Sequence, residues 1–152
     1  MSYDLRLVVN GDTAVLGAPH GEQGGTYCVG DDRAKFNVTY NYAPLFYKHL
    51  DTEKGLRWLY GKQANDTLPK LLEAIVLLDE EAKTFDVSTL KPRLVNASEM
   101  LGAVFGGPKV EPIYGPWDPD DYWTPTPSNA AAALRALARL AVAVPLGVWE
   151  GD

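Results

Sequence analysis

Few side chains in this sequence are suited to covalent or proton-transfer chemistry. There are two histidines, His20 and His49, and one cysteine, Cys28. Imidazole titrates near neutrality, so His20 and His49 are the acid/base candidates. His20 lies in Ala18-Pro19-His20-Gly21-Glu22, a glycine-rich loop where a ligand could dock. His49 follows Pro44 on an expected helix, where plain packing accounts for it equally well. Cys28, between Tyr27 and Val29, reads as a buried, inert thiol. A lone cysteine also excludes an intrachain disulfide and a cysteine-based zinc site. Asp118-Pro119-Asp120-Asp121 has the carboxylates of a calcium loop without its glycine or closing glutamate. Gly24-Gly25-Thr26 and Gly106-Gly107-Pro108-Lys109 share only glycine with phosphate loops. No Ser-His-Asp order, paired-carboxylate motif or zinc motif is present. The inventory weighs towards binding rather than catalysis, with no cofactor and no metal expected.

Binding chemistry is richer. The stretch Phe36 to Lys62 holds Tyr40, Tyr42, Tyr47 and Tyr60, four of the eight tyrosines, together with Phe46 and Trp58. Within it Asn37, Thr39 and Asn41 alternate with Val38, Tyr40 and Tyr42, the period-2 pattern of a half-buried strand. Amides and a hydroxyl donate and accept hydrogen bonds without titrating near neutrality, which suits recognition. The same row also fits polar cross-strand pairing. Arg57 and Lys62 could supply cations for an anionic ligand. With His20, these residues form the candidate ligand surface: Asn37, Thr39, Tyr40, Asn41, Tyr42, Arg57 and Lys62. A second, aromatic–acidic patch of Trp117, Asp118, Asp120, Asp121 and Trp123 is the candidate contact for a basic partner.

The elements that must position these groups read in order as an α+β domain. Tyr3 to Val9 alternates as a strand, Asn10-Gly11-Asp12 is a hairpin signal, and Thr13 to Leu16 returns. Gly17 to Gly25 is a glycine-rich loop, Thr26 to Val29 a short strand, and the aromatic strand begins at Lys35. Pro44 opens a helix bearing Leu45, Phe46, His49 and Leu50, and Thr52 to Tyr60 suggests another, stopped by Gly61. Asn65 to Thr67 should cap a long helix with a stripe at Leu68, Leu71, Leu72, Ile75, Val76 and Leu78. Residues 85–115 are proline- and glycine-rich, as an insertion packed on one domain spanning 1–152 would be. A last helix over Ala130 to Val144 carries Leu134, Leu137, Leu140 and Ala141 inward, and its alanines leave room for a homodimer contact. Val148-Trp149 should fold back as a hydrophobic lock. The expected fold is therefore a small antiparallel sheet of N-terminal strands packed against three to four helices.

The 152 residues suit one domain with its own core. A net charge of −6 disfavours direct nucleic-acid binding, since the phosphate backbone would be repelled. No apolar run nears the roughly 18 residues that span a bilayer, and no leader segment is visible. One cysteine fits a reducing cytoplasm.

Three pieces occur in one order: Gly24-Gly25-Thr26-Tyr27 with Asn37-Val38-Thr39-Tyr40-Asn41-Tyr42, then Gly55-Leu56-Arg57-Trp58-Leu59-Tyr60-Gly61-Lys62, and last Asp121-Tyr122-Trp123 through Thr126 and Asn129-Ala130 to Gly147-Val148-Trp149-Glu150-Gly151-Asp152. In these the chain resembles a family of small, mostly uncharacterised proteins encoded by phages and prophages. The likeness spans nearly the whole sequence except about Phe85 to Gly115. It brings no catalytic residues with it. It implies a phage accessory protein in the host cytoplasm, of the kind that counters host defence by binding a defence protein or sequestering a nucleotide signal. The alternatives are a small nucleotide-acting hydrolase or transferase using His20 or His49, and a virion assembly protein.

Overall fold

A computed structural model describes residues 1–17, 32–86 and 122–152. The fold is α+β, as expected. Strand β1 (Ser2–Val9) is the hub of a four-stranded antiparallel sheet, pairing with β2 (Asp12–Thr13), β3 (Lys35–Thr39) and β4 (Val148–Gly151). Leu5 and Arg6 are paired on both sides, with Phe36 and Lys35 of β3 and with Gly151 and Glu150 of β4. The alternation in β1 puts Tyr3, Leu5 and Leu7 in the core and leaves Asp4 and Arg6 on the outer face. The β1–β2 hairpin closes at Asn10-Gly11, where both residues have positive φ (54° and 86°), as a turn matching the strand twist requires. The returning strand is shorter than expected. It stops at Thr13, and Val15 joins only by an isolated bridge to Arg33. The expected strand at Thr26 to Val29 lies outside the described residues, as does the 85–115 segment beyond Asp86.

The aromatic strand also ends early. Past Lys35–Thr39 the Thr39 hydroxyl accepts a hydrogen bond from Asn41 N (3.3 Å), capping a 3-10 turn over Tyr40–Tyr42. Helix α1 (Ala43–His49) follows with Pro44 in its first turn, where a missing N–H costs nothing. Asn41 and Tyr42 therefore leave the alternation expected of them. A second correction concerns Thr52 to Tyr60, which forms a 3-10 segment over Gly55–Leu59 only. The Asp51 carboxylate accepts from Glu53 N (3.1 Å) and Lys54 N (2.9 Å), and Gly55 has φ +53°, so no regular helix runs through from Thr52.

Helices α2 (Ala64–Ala82) and α3 (Pro127–Ala143) pack antiparallel on the sheet's inner face. Each starts about one turn before its expected position. In α3 the Thr126 hydroxyl accepts from Asn129 N (3.1 Å) and so sets the cap. The buried face of α2 is Thr67, Leu71, Ala74, Ile75 and Leu78. Leu72 and Val76, expected inside, are 53% and 59% exposed because they sit one residue-step around from that face. With Leu68, Ile75, Ala138 and Val142, Leu72 borders an open apolar groove of about 420 Å³ between α2 and α3, beside Arg135 and Arg139. Among the described residues no helix is long and apolar enough to cross a membrane.

Val148-Trp149 does more than fold back. As part of β4 it pairs with β1, and its other side is held by Gly61 N to Trp149 O (2.8 Å) and Trp149 N to Lys62 O (2.9 Å). The Trp149 indole is wholly buried and donates to the Thr67 hydroxyl (3.1 Å), which donates in turn to Ala64 O (2.7 Å). The 3-10 segment, α2 and the sheet are thus joined through one residue.

Candidate functional site

The candidate ligand residues divide between three places. Asn37 faces the outer side of the sheet, where it is directly opposite Asp4. Its amide donates to the Ser2 hydroxyl (2.7 Å) and to the Asp4 carboxylate, leaving it only 7% exposed. Of the two readings of that row, cross-strand pairing describes Asn37. Thr39 is the cap already described. The Asn41 amide donates to the main-chain oxygen of Trp123 (2.7 Å), so it holds the start of the last helical region to the 3-10 turn. Tyr42 is buried in the core, its ring edge-on to Phe46 at 6.0 Å. The alternating residues do not form one open recognition face.

Tyr40 and Arg57 do come together. The Arg57 guanidinium lies 5.3 Å from the Tyr3 ring centroid and 5.5 Å from that of Tyr40, and it donates to the Tyr40 hydroxyl (3.0 Å). The Tyr3 and Tyr40 rings meet edge-on at 4.3 Å, forming a bent aromatic wall. The cation gains by sitting against the rings. Among the described residues no carboxylate is within ion-pair distance of Arg57, although the protein is acidic. The Tyr47 ring lies against Gly55, whose φ of +53° favours glycine at that position. Burial pushes the Tyr3 phenol up, with Tyr47 adding to the rise and Arg57 opposing it. Burial likewise pushes Tyr60 up to about 12, with Asp152 adding to it, and the Tyr60 hydroxyl donates to the Asp152 main-chain oxygen (3.1 Å). Four phenols, Tyr3, Tyr40, Tyr47 and Tyr60, thus share one electrostatic neighbourhood with Arg57.

Lys62 takes a separate place. Its ammonium donates to Trp58 O (2.7 Å) and stands 4.6 Å from the Trp58 ring centroid, with the Lys70 ammonium 4.3 Å from the same ring. Lys70 also bonds Asp51 (3.0 Å), so this group docks the 3-10 segment onto α2. The hydrogen bond from Lys70 leads in drawing the Asp51 carboxyl down to about 2, and the main-chain N–H of Lys54 adds to it. A carboxyl lowered on folding stabilises above its unfolded value and loses that stabilisation as pH falls towards the folded one. The Asp51→Asn variant should therefore be less stable than the wild type at about pH 6, and the gap in urea midpoint should narrow by about pH 2.

Of the two histidines, His20 lies outside the described residues. His49 is 12% exposed at its side chain, and its Nε2 meets the Glu81 carboxylate, which Lys48 also reaches (3.0 Å). Burial works to raise the Glu81 carboxyl, and the bonds from His49 and Lys48 outweigh it and hold it below the usual range. The pair ties α1 to the end of α2. Trp117, Asp118, Asp120 and Asp121 also lie outside the described residues. Trp123 packs edge-on against Tyr122 at 5.3 Å.

Tyr3 was not among the sequence candidates and neither was Tyr60, whereas Tyr47 lies at the end of the aromatic and amide stretch from Asn37 that was expected to bind. Tyr3 reads as an ordinary inward residue of β1. The one signal was the register: Tyr3 pairs with Val38, two residues before Tyr40. No protein-family model, curated protein or solved structure matches this chain.

Proposed function

We propose that this protein is a non-catalytic phage accessory factor that acts against host defence by binding, and that Arg57 with its tyrosines is the surface that takes an anionic ligand or partner group. One observation carries the reading: Arg57 is held on two tyrosine rings and has no carboxylate within ion-pair distance among the described residues. Structural arginines in acidic proteins usually meet a carboxylate, as Arg6 does with Glu150 (2.8 Å). A guanidinium fixed by aromatic faces keeps its donor fork available for planar or tetrahedral anions. The phage context comes from the ordered motifs at Asn37 to Tyr42, Gly55 to Lys62 and Gly147 to Asp152.

A second reading has one observation in its favour. The Glu81 carboxylate orients the His49 imidazole, as an acid/base residue in a nucleotide-acting enzyme would need. A thermal-shift screen against mono-, di- and cyclic nucleotides, followed by mass spectrometry, separates the two. Ligand recovered intact supports sequestration. Ligand chemically changed, with the change lost in His49→Ala, moves the assignment to an enzyme. Saturating ligand at about a hundredfold over Kd should add about 2.7 kcal/mol of stability. No shift with any nucleotide, together with a specific host protein captured through the Arg57 surface, leaves protein inhibition.

A further inference from the structure

We infer that the Arg57 patch is a phosphoryl-binding site, in which the guanidinium fork and the hydroxyl protons of Tyr40 and Tyr47 take the oxygens of a small nucleotide's phosphate. This rests on the binding reading above and names the group that is bound.

The donor arithmetic supports it. Arg57 donates to the Tyr40 oxygen (3.0 Å), so the Tyr40 proton is turned away from Arg57 and is available to an acceptor. Among the described residues the Tyr47 hydroxyl makes no hydrogen bond, and Tyr47 is 38% exposed. The remaining guanidinium N–H groups are equally uncommitted. The patch therefore presents donors from several side chains around one cation. A carboxylate offers two oxygens in one plane and would leave some of these donors idle. A phosphate ester offers three terminal oxygens in a tetrahedral array and a charge of about −1.5 to −2 at neutral pH, which uses them all.

The electrostatics agree with the geometry. Burial raises the Tyr3 phenol, so the ring that backs the guanidinium adds no negative charge beside the anion. Aromatic walls lower the local dielectric at the guanidinium and strengthen its attraction for a dianion. The protein's overall charge of −6 disfavours long polyanions, so a small phosphate-bearing ligand fits where a nucleic acid does not.

The test is titration of the intact protein with inorganic phosphate, a nucleoside monophosphate, the parent nucleoside and acetate, followed by NMR of the arginine Nε–H signals. Phosphate and the nucleotide should shift the Arg57 signal, the nucleotide more tightly, while acetate binds at least tenfold more weakly. Arg57→Gln should weaken nucleotide binding at least tenfold, and Arg57→Lys, which keeps the charge but loses the fork, should recover only part of it. Tyr40→Phe, which removes one hydroxyl, should cost severalfold. Lys83→Gln, at the end of α2 and paired with Glu80, should bind as the wild type does. Acetate binding as well as phosphate, or nucleotide binding that survives Arg57→Gln, overturns the phosphoryl assignment while leaving the binding reading in place. No anion binding at all also overturns it, and the binding reading is then decided separately by capture of a host protein with wild type and Arg57→Gln.

Discussion

Trp149→Ala should cost about 3–5 kcal/mol of folding stability, the usual range for emptying a wholly buried tryptophan site. Three contributions act together. The indole fills the space where β4, Leu7 of β1 and α2 meet. Its Nε1–H donates to the buried Thr67 hydroxyl, so truncation removes one hydrogen bond and leaves Thr67 with only its bond to Ala64 O. The same residue's main chain joins β4 to Gly61 and Lys62, so a loosened side chain weakens the seat of the 3-10 segment that carries Arg57. Urea denaturation followed by circular dichroism measures the effect. Trp149→Phe keeps an aromatic ring but loses the N–H and part of the indole's volume, so its loss should fall short of the alanine variant's. Equal losses for the two would show that the packing a phenyl ring retains contributes little.

Phe46→Ala should be nearly as damaging, at about 3–5 kcal/mol, and should also reach the site. Phe46 is fully buried on α1, tilted against Tyr3 at 6.5 Å and edge-on to Tyr42 at 6.0 Å. Aromatic pairs of this kind add about 0.5–1.5 kcal/mol beyond area burial. Tyr3 in turn forms half of the wall on which Arg57 lies. The variant should therefore lose stability and also weaken anion binding under conditions where it remains folded. Phe46→Leu should recover much of the stability and less of the binding, since leucine fills space but cannot meet Tyr3 ring to ring. Unchanged anion affinity in a folded Phe46→Ala protein would show that Tyr3 is positioned without it.

How much of this was legible in the sequence depends on the range of the interaction. Asn10-Gly11 foretold its hairpin because both positions adopt backbone angles that other residues resist. The α2 and α3 helices were legible from apolar spacing, which is local. The spacing of α2 also misled, since Leu72 and Val76 extend the stripe on paper but face solvent. The break at Thr39 was hidden because alternation of residue type ran on through Tyr42, while one hydroxyl capping Asn41 N decided the backbone. Strand β4 was the hardest to see. Four residues carry little pattern, and their partner is at the other end of the chain. At the site, Arg57 and Tyr40 were both nominated, and their meeting depends on the 3-10 segment that Gly55 begins. Tyr3 escaped notice because a residue that is inward on a strand looks structural whether or not its ring carries a cation.

The pairing of Leu5 with Gly151 sets a timetable for the ribosome. At about 5–20 residues per second, β1 leaves the tunnel on the order of ten seconds or more before its β4 neighbour has been made. For that interval one edge of the central strand has no native partner, and Leu7 lacks the tryptophan that will cover it. The sheet cannot be finished piecemeal as synthesis proceeds. A chain stalled just before Val148 would still lack the strand that closes its core, which makes it a natural substrate for chaperones and proteases.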